Sequence, residues 1–427
     1  MIFGKKKRYP GPILQACRAL ELQLPKNASP ENPPSYYVQL GGKENYKGYR
    51  KHLAVEVPDV PEEEIRESFF YFKSLFLDHE PAEYTFTDQA VYFTDWLLFA
   101  RRKGFSVDDY FDYELYAKDV KARNDFFNHE QRFLIMYATS VTSGRVYMNN
   151  KAIFYSQFHK YVHRDWINTY TCEFDEFEAF LRKHSNERVF AKPVIGGGGS
   201  GSGALQLSDY KPGELFEICK DNKYVLEEFI HQHETMAKFN RDSVNTVRIV
   251  TFLPSDNKPR VMAACVRFGT PGSVVDNYIA GGVCTVLDTE TGKPTVPLIN
   301  KRHQRTMIHP YSGESIENFQ VPYWDKVREA VLECQALMTE CRHVGWDVTI
   351  TDKGEVEFVE GNCGPDFDVV QAADSIGKFP LYEPFLRDIP EAEKLLALHD
   401  EPWDSNYYEL PELKTHQSGG IIDRLMR

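Results

Sequence analysis

At 427 residues, with 42% hydrophobic and 26% charged side chains, the chain can build two or three domains with sizeable cores, and its composition excludes a disordered protein. A formal net charge of −13 argues against a nucleic-acid partner, which calls for a basic face, but leaves room for a small anionic substrate held by a few local Arg and Lys. No apolar run approaches the roughly 18 to 20 residues that span a bilayer, so no transmembrane segment is expected. The start, MIFGKKKRYPGPILQACRAL, lacks a secretory core and cleavage site, and the eight cysteines form no C-x-x-C pair. Both features predict reduced thiols and a cytoplasmic location.

Up to about Asp59 the sequence is irregular. Helices then follow. Pro61 with Glu62, Glu63 and Glu64 makes a favourable first turn, and Ile65, Phe69 and Phe72 recur at i, i+4 and i+7 as one apolar stripe. Thr87 is placed to cap a second helix that runs through Trp96 and ends at Gly104; Ser106 is placed to cap a third, and a fourth spans about Asp125 to Val141. The many aromatics here fit either a carbohydrate platform or a helical core, and at helical spacing the core reading has the advantage.

Past Gly144 short strands mix with helices. The segment RVFAKPVIGGGGSGSGALQLSD holds six glycines between Gly196 and Gly203, flanked by strand-like Val189–Ile195 and Ala204–Leu207. Those flanks make the glycines a hairpin tip, whose bare backbone N–H groups can approach phosphate oxygens. Neither a G-K-[ST] loop nor a dinucleotide fingerprint is present. Lys192 sits on the strand leading in. Further on, Tyr224–Ile230 reads as an apolar edge strand carrying Glu227 and Glu228. Ser243–Phe252 is a buried strand carrying Arg248, and Val261–Phe268 is another carrying Arg267. A buried guanidinium needs an anion beside it, either a structural carboxylate or a bound phosphate. Trp324 to Arg342 reads as a long amphipathic helix.

That helix leads to VGWDVTITDKGEVEFVEGN, a hairpin about Asp352-Lys353-Gly354. Folding there brings Asp347 roughly opposite Val359 or Glu360, with Glu360 and Asn362 on one face. Two facing carboxylates repel unless a hard divalent cation lies between them. The competing expectation is a solvated acidic edge.

Lysine strand, glycine hairpin, edge strand ending in Glu, arginine strand and D…E-x-N occur in that order, which resembles the ATP-grasp superfamily. KPVIGGGGSGSGALQL, SVNTVRIVTF, VDNYIAGG and GWDVTITDKGEVEFVEGN look like its sugar-transfer-associated branch, related to alpha-L-glutamate ligases, over about residues 149–378. The resemblance implies an α+β fold in which two subdomains clamp ATP between antiparallel sheets, preceded by a helical region. The division expected is a helical region at 1–145, a lid subdomain at 146–228, a metal-bearing subdomain at 229–385 and a tail at 386–427.

Carried over by position, the resemblance implies that Lys192 touches the nucleotide phosphates and that Gly197, Gly198, Gly199, Ser200, Gly201, Ser202 and Gly203 cover them. Glu227, Glu228, Phe229 and Ile230 would meet adenine, with His233 or Glu234 near the ribose. Arg248 would face the transferred phosphoryl group or the substrate carboxylate, Lys192 and Arg248 would balance the developing charge, and Arg267 is a further catalytic candidate near the substrate; Asp347, Glu360 and Asn362 would hold Mg²⁺. Asp276, Asn277 and Asp366 are candidate substrate contacts. The upstream nucleotide-contacting cation is one of Lys151, Lys160 and Arg164. The implied activity is ATP-dependent carboxylate–amine ligation through an acyl phosphate, on a sugar acid, amino sugar or amino acid of a surface polysaccharide. Alternatives are phosphorylation of a hydroxyl, a non-catalytic nucleotide sensor, and a carbohydrate-binding partner of a glycosyltransferase.

Overall fold

The computed structural model describes residues 60–79, 92–185, 187–196, 201–273, 276, 278, 281–393 and 395–396. It divides into two compact units, Met1–Asn124 with Ala397–Arg427 and Asp125–Leu396. Among the described residues no helix is long and apolar enough to cross a membrane. Seven cysteines among them are buried free thiols.

In the first unit the helix Glu62–His79 follows Pro61 and buries Ile65, Phe69 and Phe72 on one side. Phe69 and Phe72 meet Phe93 edge to face at 5.0 and 5.4 Å, and Phe72 lies 4.8 Å from Phe111. These rings form a core, not an open platform for sugar. Gly104, at φ 82°, ends the helical run through Trp96, while Thr87 lies outside the described residues. Ser106 caps Val107–Asp112 in a reciprocal pair with Asp109. At the centre Arg123 donates to Asp95 at 3.0 and 2.7 Å, both side chains fully buried, and the Tyr110 hydroxyl donates to the same carboxylate at 2.7 Å.

The second unit holds two antiparallel sheets. The smaller has strands β1 (Trp166–Asn168), β2 (Arg188–Pro193), β3 (Gly203–Gln206) and β4 (Tyr224–Glu228), in the order β1-β4-β2-β3. Val189, Ala191 and Leu226 pack beneath Phe177 and Leu181 of the helix Phe174–Lys183 and Leu215 and Phe216 of the helix Pro212–Asp221. Residues at odd and even positions take opposite faces of a strand, so Phe190, Lys192, Val225 and Glu227 share the other side.

The larger sheet has β5 (Val247–Phe252), β6 (Arg260–Phe268), β7 (Val283–Val286), β8 (Leu298–Ile299), β9 (Arg305–Thr306), β10 (His343–Ile350) and β11 (Val356–Cys363), in the order β11-β10-β5-β6-β7-β8-β9. On one face Ile249, Val266, Trp346, Val348 and Phe358 form the main core with the helix Trp324–Leu337 and with Met148, Phe154 and Phe158. The predicted helix to Arg342 stops at Leu337, because the chain must turn there to enter β10.

Helices expected to belong with the N-terminal region pack instead on this sheet. His129–Thr139, capped by Asn128, places Ile135 in a cluster with Val250, Phe252 and Phe367. These helices thus group with the larger sheet in the unit Asp125–Leu396. The helix Phe379–Leu386, not expected from the sequence, carries Pro380 in its first turn and Pro384 within it.

Candidate active site

The register of the hairpin decides what faces what. From Ile350↔Val356 to Val348↔Phe358 the pairing is regular, and it then jumps to Asp347↔Glu360, leaving Val359 as one extra residue. Without that bulge Val359 would oppose Asp347, and Glu360 would turn toward the core beside Trp346. With it, Glu360 and Asn362 join Asp347 on the face away from the main core. Gly361 is turned inward, where a Cβ would collide with Met148 and Phe154. The missing side chain therefore reinforces the register.

Asp347 also pairs with Arg248 of β5, which pairs with Cys265 of β6, so Arg248 and Arg267 lie on the same face. Asp347 Oδ2 accepts from Arg248 Nη2 at 2.8 Å, Arg267 Nη2 lies 3.1 Å from the same oxygen, and Oδ1 accepts from Arg248 Nε at 2.5 Å. Burial alone would oppose ionisation of Asp347, but the two guanidinium groups outweigh it and hold the carboxyl below its ordinary range. Glu360, half-buried opposite, has no ion-pair partner among the described residues; Asn362 Nδ2 is 3.5 Å from its Oε1.

The smaller sheet contributes the lysine. Lys192 and Glu227 form a buried ion pair; Glu227 also accepts from Arg164 Nε at 2.9 Å and from the Tyr155 hydroxyl at 2.8 Å. Burial raises the Glu227 carboxyl, yet Arg164 and Lys192 reverse this and bring it down to about 2. Glu227 was expected at adenine. It is 2% exposed and paired with Lys192 and Arg164, because the alternation of β4 turns it to the lysine face, where a carboxylate cannot stay without cations.

Of the three upstream candidates, Lys160 is on the surface with Glu333, and Arg164 is buried between Glu227 and Glu357. Lys151 lies by the glycine segment. Its Nζ donates to the Gly196 carbonyl at 2.6 Å, at the start of the glycine segment, and its ammonium feels both Glu360 and Lys192. Burial pulls its pKa below the usual lysine value.

Gly201 to Gly203 lead into β3, whereas Gly197, Gly198, Gly199 and Ser200 lie outside the described residues. So does Asn277. Asp276, proposed to meet substrate, is buried; its Oδ2 accepts from the Thr246 backbone N–H at 2.8 Å and lies 3.5 Å from Arg267 Nε. Asp366 is paired with Arg132. Glu228 Oε2 accepts from the Asp165 N–H at 3.1 Å, and Phe229 meets Phe190 edge to face. Ile230 is half-buried just beyond β4. His233 caps Glu234–Ala237, and Glu234 is paired with Arg241 on the surface.

Tyr155, Glu357 and the function of Arg164 escape sequence reasoning. A trace of them exists: Glu227 within an apolar strand demands a buried cation from elsewhere, and HRDW offers one.

Asp347, Glu360 and Asn362 offer two carboxylates and an amide oxygen, which suits a hard divalent cation shared with phosphate oxygens. Among the described residues no group of three or more His, Cys, Asp or Glu could hold a metal unaided. The donors therefore fit an ion that arrives with its anion better than a closed structural site.

Residues 213–385 match the model of a family described as sugar-transfer associated ATP-grasp. No curated protein matches the chain. Among solved structures it is similar to the ATP-grasp ligase PsnB complexed with minimal precursor, at 12% identity and TM-score 0.37, covering 58% of this chain and 64% of that one. The chain thus spans less than two thirds of PsnB. It is similar also to D-alanine–D-alanine ligase from Bacillus anthracis complexed with ATP, at 14% identity and TM-score 0.35, covering 61% of this chain and 70% of that one. A third is the Chryseobacterium gregarium RiPP-associated ATP-grasp ligase in complex with ADP and a leader and core peptide, at 12% identity and TM-score 0.35, covering 64% and 66%. Two α+β halves, the lysine of one turned toward its buried glutamate and the Asp–Glu–Asn face of the other, accord with the match of residues 213–385 to the model of the sugar-transfer associated ATP-grasp family.

Proposed function

We propose that the protein is an ATP-dependent ligase that joins a carboxylate to an amine. The observation that carries this reading is the charge pattern: Lys151 and Lys192 beside the glycine segment, and Glu360 left without a cation opposite the doubly paired Asp347. The first two are suited to phosphate oxygens, the last to a cation that accompanies them.

In this reading a substrate carboxylate oxygen attacks the γ-phosphorus of ATP, and the bond to the β-phosphate oxygen breaks with its electron pair leaving on ADP. The amine nitrogen then attacks the acyl carbon, phosphate departs with the C–O electron pair, and the nitrogen releases a proton. Lys192 and Lys151 orient the phosphates. Arg248 and Arg267, already steadied by Asp347 and Asp276, face the developing charge from the sheet floor. Mg²⁺, held by Asp347, Glu360 and Asn362, would neutralise phosphate charge when bound. The glycine segment, small-chained apart from Ser200 and Ser202, is suited to keeping water from the acyl phosphate.

The substrate class we favour is a sugar acid, an amino sugar, or an amino acid joined to one, which follows from the family's description by analogy. The test is incubation with Mg-ATP and a panel of sugar acids and amino acids, with hydroxylamine as the trapping amine. A hydroxamate with matched ADP supports ligation. A stable phosphoester would replace it with a kinase, and ADP formation with none of the acids would count against both.

A further inference from the structure

Arg164 lies outside the family-matched stretch and has no role in the chemistry above, yet its fully buried guanidinium touches both halves of the site. Toward the smaller sheet, Nε donates to Glu227 at 2.9 Å, the carboxylate that orients Lys192. Toward the larger sheet, Nη1 donates to the Phe358 carbonyl at 2.7 Å and pairs with Glu357, and Nη2 donates to the Val359 carbonyl at 3.3 Å. Glu357 is fixed in turn by the His163 N–H at 2.8 Å. Tyr155 lies under the guanidinium plane, 4.4 Å from it, and donates its hydroxyl to Glu227.

Val359 is the extra residue of the β11 bulge, the irregularity that turns Glu360 and Asn362 toward Asp347. Carbonyls at a bulge lose ladder partners, and buried ones must find others. Here one side chain supplies them.

We infer that Arg164 is the positioning residue that sets Lys192 and Glu360 in register with each other, by clamping the Glu227 carboxylate and the Phe358–Val359 backbone on a single rigid fork. The inference rests on the proposed nucleotide site for its functional meaning, but its structural half does not need a nucleotide. A lysine cannot replace the arginine, since one ammonium cannot reach all four acceptors, Glu227, Glu357 and the Phe358 and Val359 carbonyls, that the planar fork meets.

The test uses the full chain and two variants, Arg164→Lys and the double variant Arg164→Gln/Glu357→Gln. The double variant removes both charges of the deeper pair, so folding does not require burial of a lone Glu357 carboxylate. Hydrogen exchange of the ligand-free proteins reads the bulge: exchange across residues 356–363 should rise about tenfold or more in both variants, with the helix Phe174–Lys183 unchanged. Calorimetry with ADP, with and without Mg²⁺, reads the function: the tightening by Mg²⁺ should fall by about 10- to 100-fold, the usual effect of removing a residue that orients ligands. Wild-type exchange across 356–363 in the double variant would overturn the inference. So would an Arg164→Lys protein with unaltered Mg²⁺ dependence. If the wild type binds no ADP, the proposed function fails, while the exchange result still decides the role of Arg164.

Discussion

Asp347 and Glu360 face each other across β10 and β11 only because Val359 is an extra residue between two regular stretches of pairing. Gly361, the next residue along, points into the core against Met148 and Phe154. Gly361→Ala should therefore destabilise the protein by about 1–3 kcal/mol through overpacking, read as a lower urea midpoint. An unchanged midpoint would mean that the register is set elsewhere.

Two buried carboxylates, one on each sheet, set how the protein responds to acid. Glu227 is held at about 2 against burial by Arg164 and Lys192, and Asp347 is held below its ordinary range by Arg248 and Arg267. A carboxyl depressed in the folded state adds stability above its unfolded value, and that contribution fades as pH falls toward the folded one. Stability should thus fall from about pH 4.5 toward pH 2, with Glu227 contributing on the order of 3 kcal/mol. Glu227→Gln should flatten that slope in unfolding curves taken across the range.

Lys151 and Lys160 provide a matched comparison. Lys151 donates to the Gly196 carbonyl beside Glu360 and Lys192, while Lys160 sits on the surface against Glu333. Lys151→Met should weaken ATP binding by about tenfold to a hundredfold, the effect of one charge-assisted hydrogen bond, and Lys160→Met should leave it unchanged. Equal effects in calorimetry would remove Lys151 from the site.

In the N-terminal unit, Arg123 and Asp95 are both fully buried. Arg123→Ala leaves the Asp95 carboxylate without its cation and should cost about 3–5 kcal/mol. Faster limited proteolysis of residues 60–124, with ATP binding retained, is the expected result.

Much of this was legible in the sequence, for identifiable reasons. Alternation in β10 and β11 and the Asp352-Lys353-Gly354 turn placed Asp347 within one residue of its partner, but periodicity cannot reveal a bulge, and the bulge decides between Val359 and Glu360. Glu227 was visible as an acid in an apolar strand, while its partners Arg164 and Tyr155 come from distant residues that only tertiary packing brings to it. The helix Phe379–Leu386 was hidden by its prolines, which read as breaks although the first occupies a turn that needs no N–H donor. His129–Thr139 was legible as a helix, but its packing against Val250 and Phe252 was not, since an apolar stripe does not say which sheet it covers.

The measurement that bears most directly on the account is thermal unfolding with and without Mg-ATP for the wild type and Glu360→Gln. At about 100 times its dissociation constant, Mg-ATP should add roughly 2.7 kcal/mol to the wild type. The account predicts a magnesium-dependent rise in melting temperature that largely disappears in Glu360→Gln, with both proteins equally stable without ligand. A wild type that gains nothing from Mg-ATP, or a variant that gains as much, would contradict it.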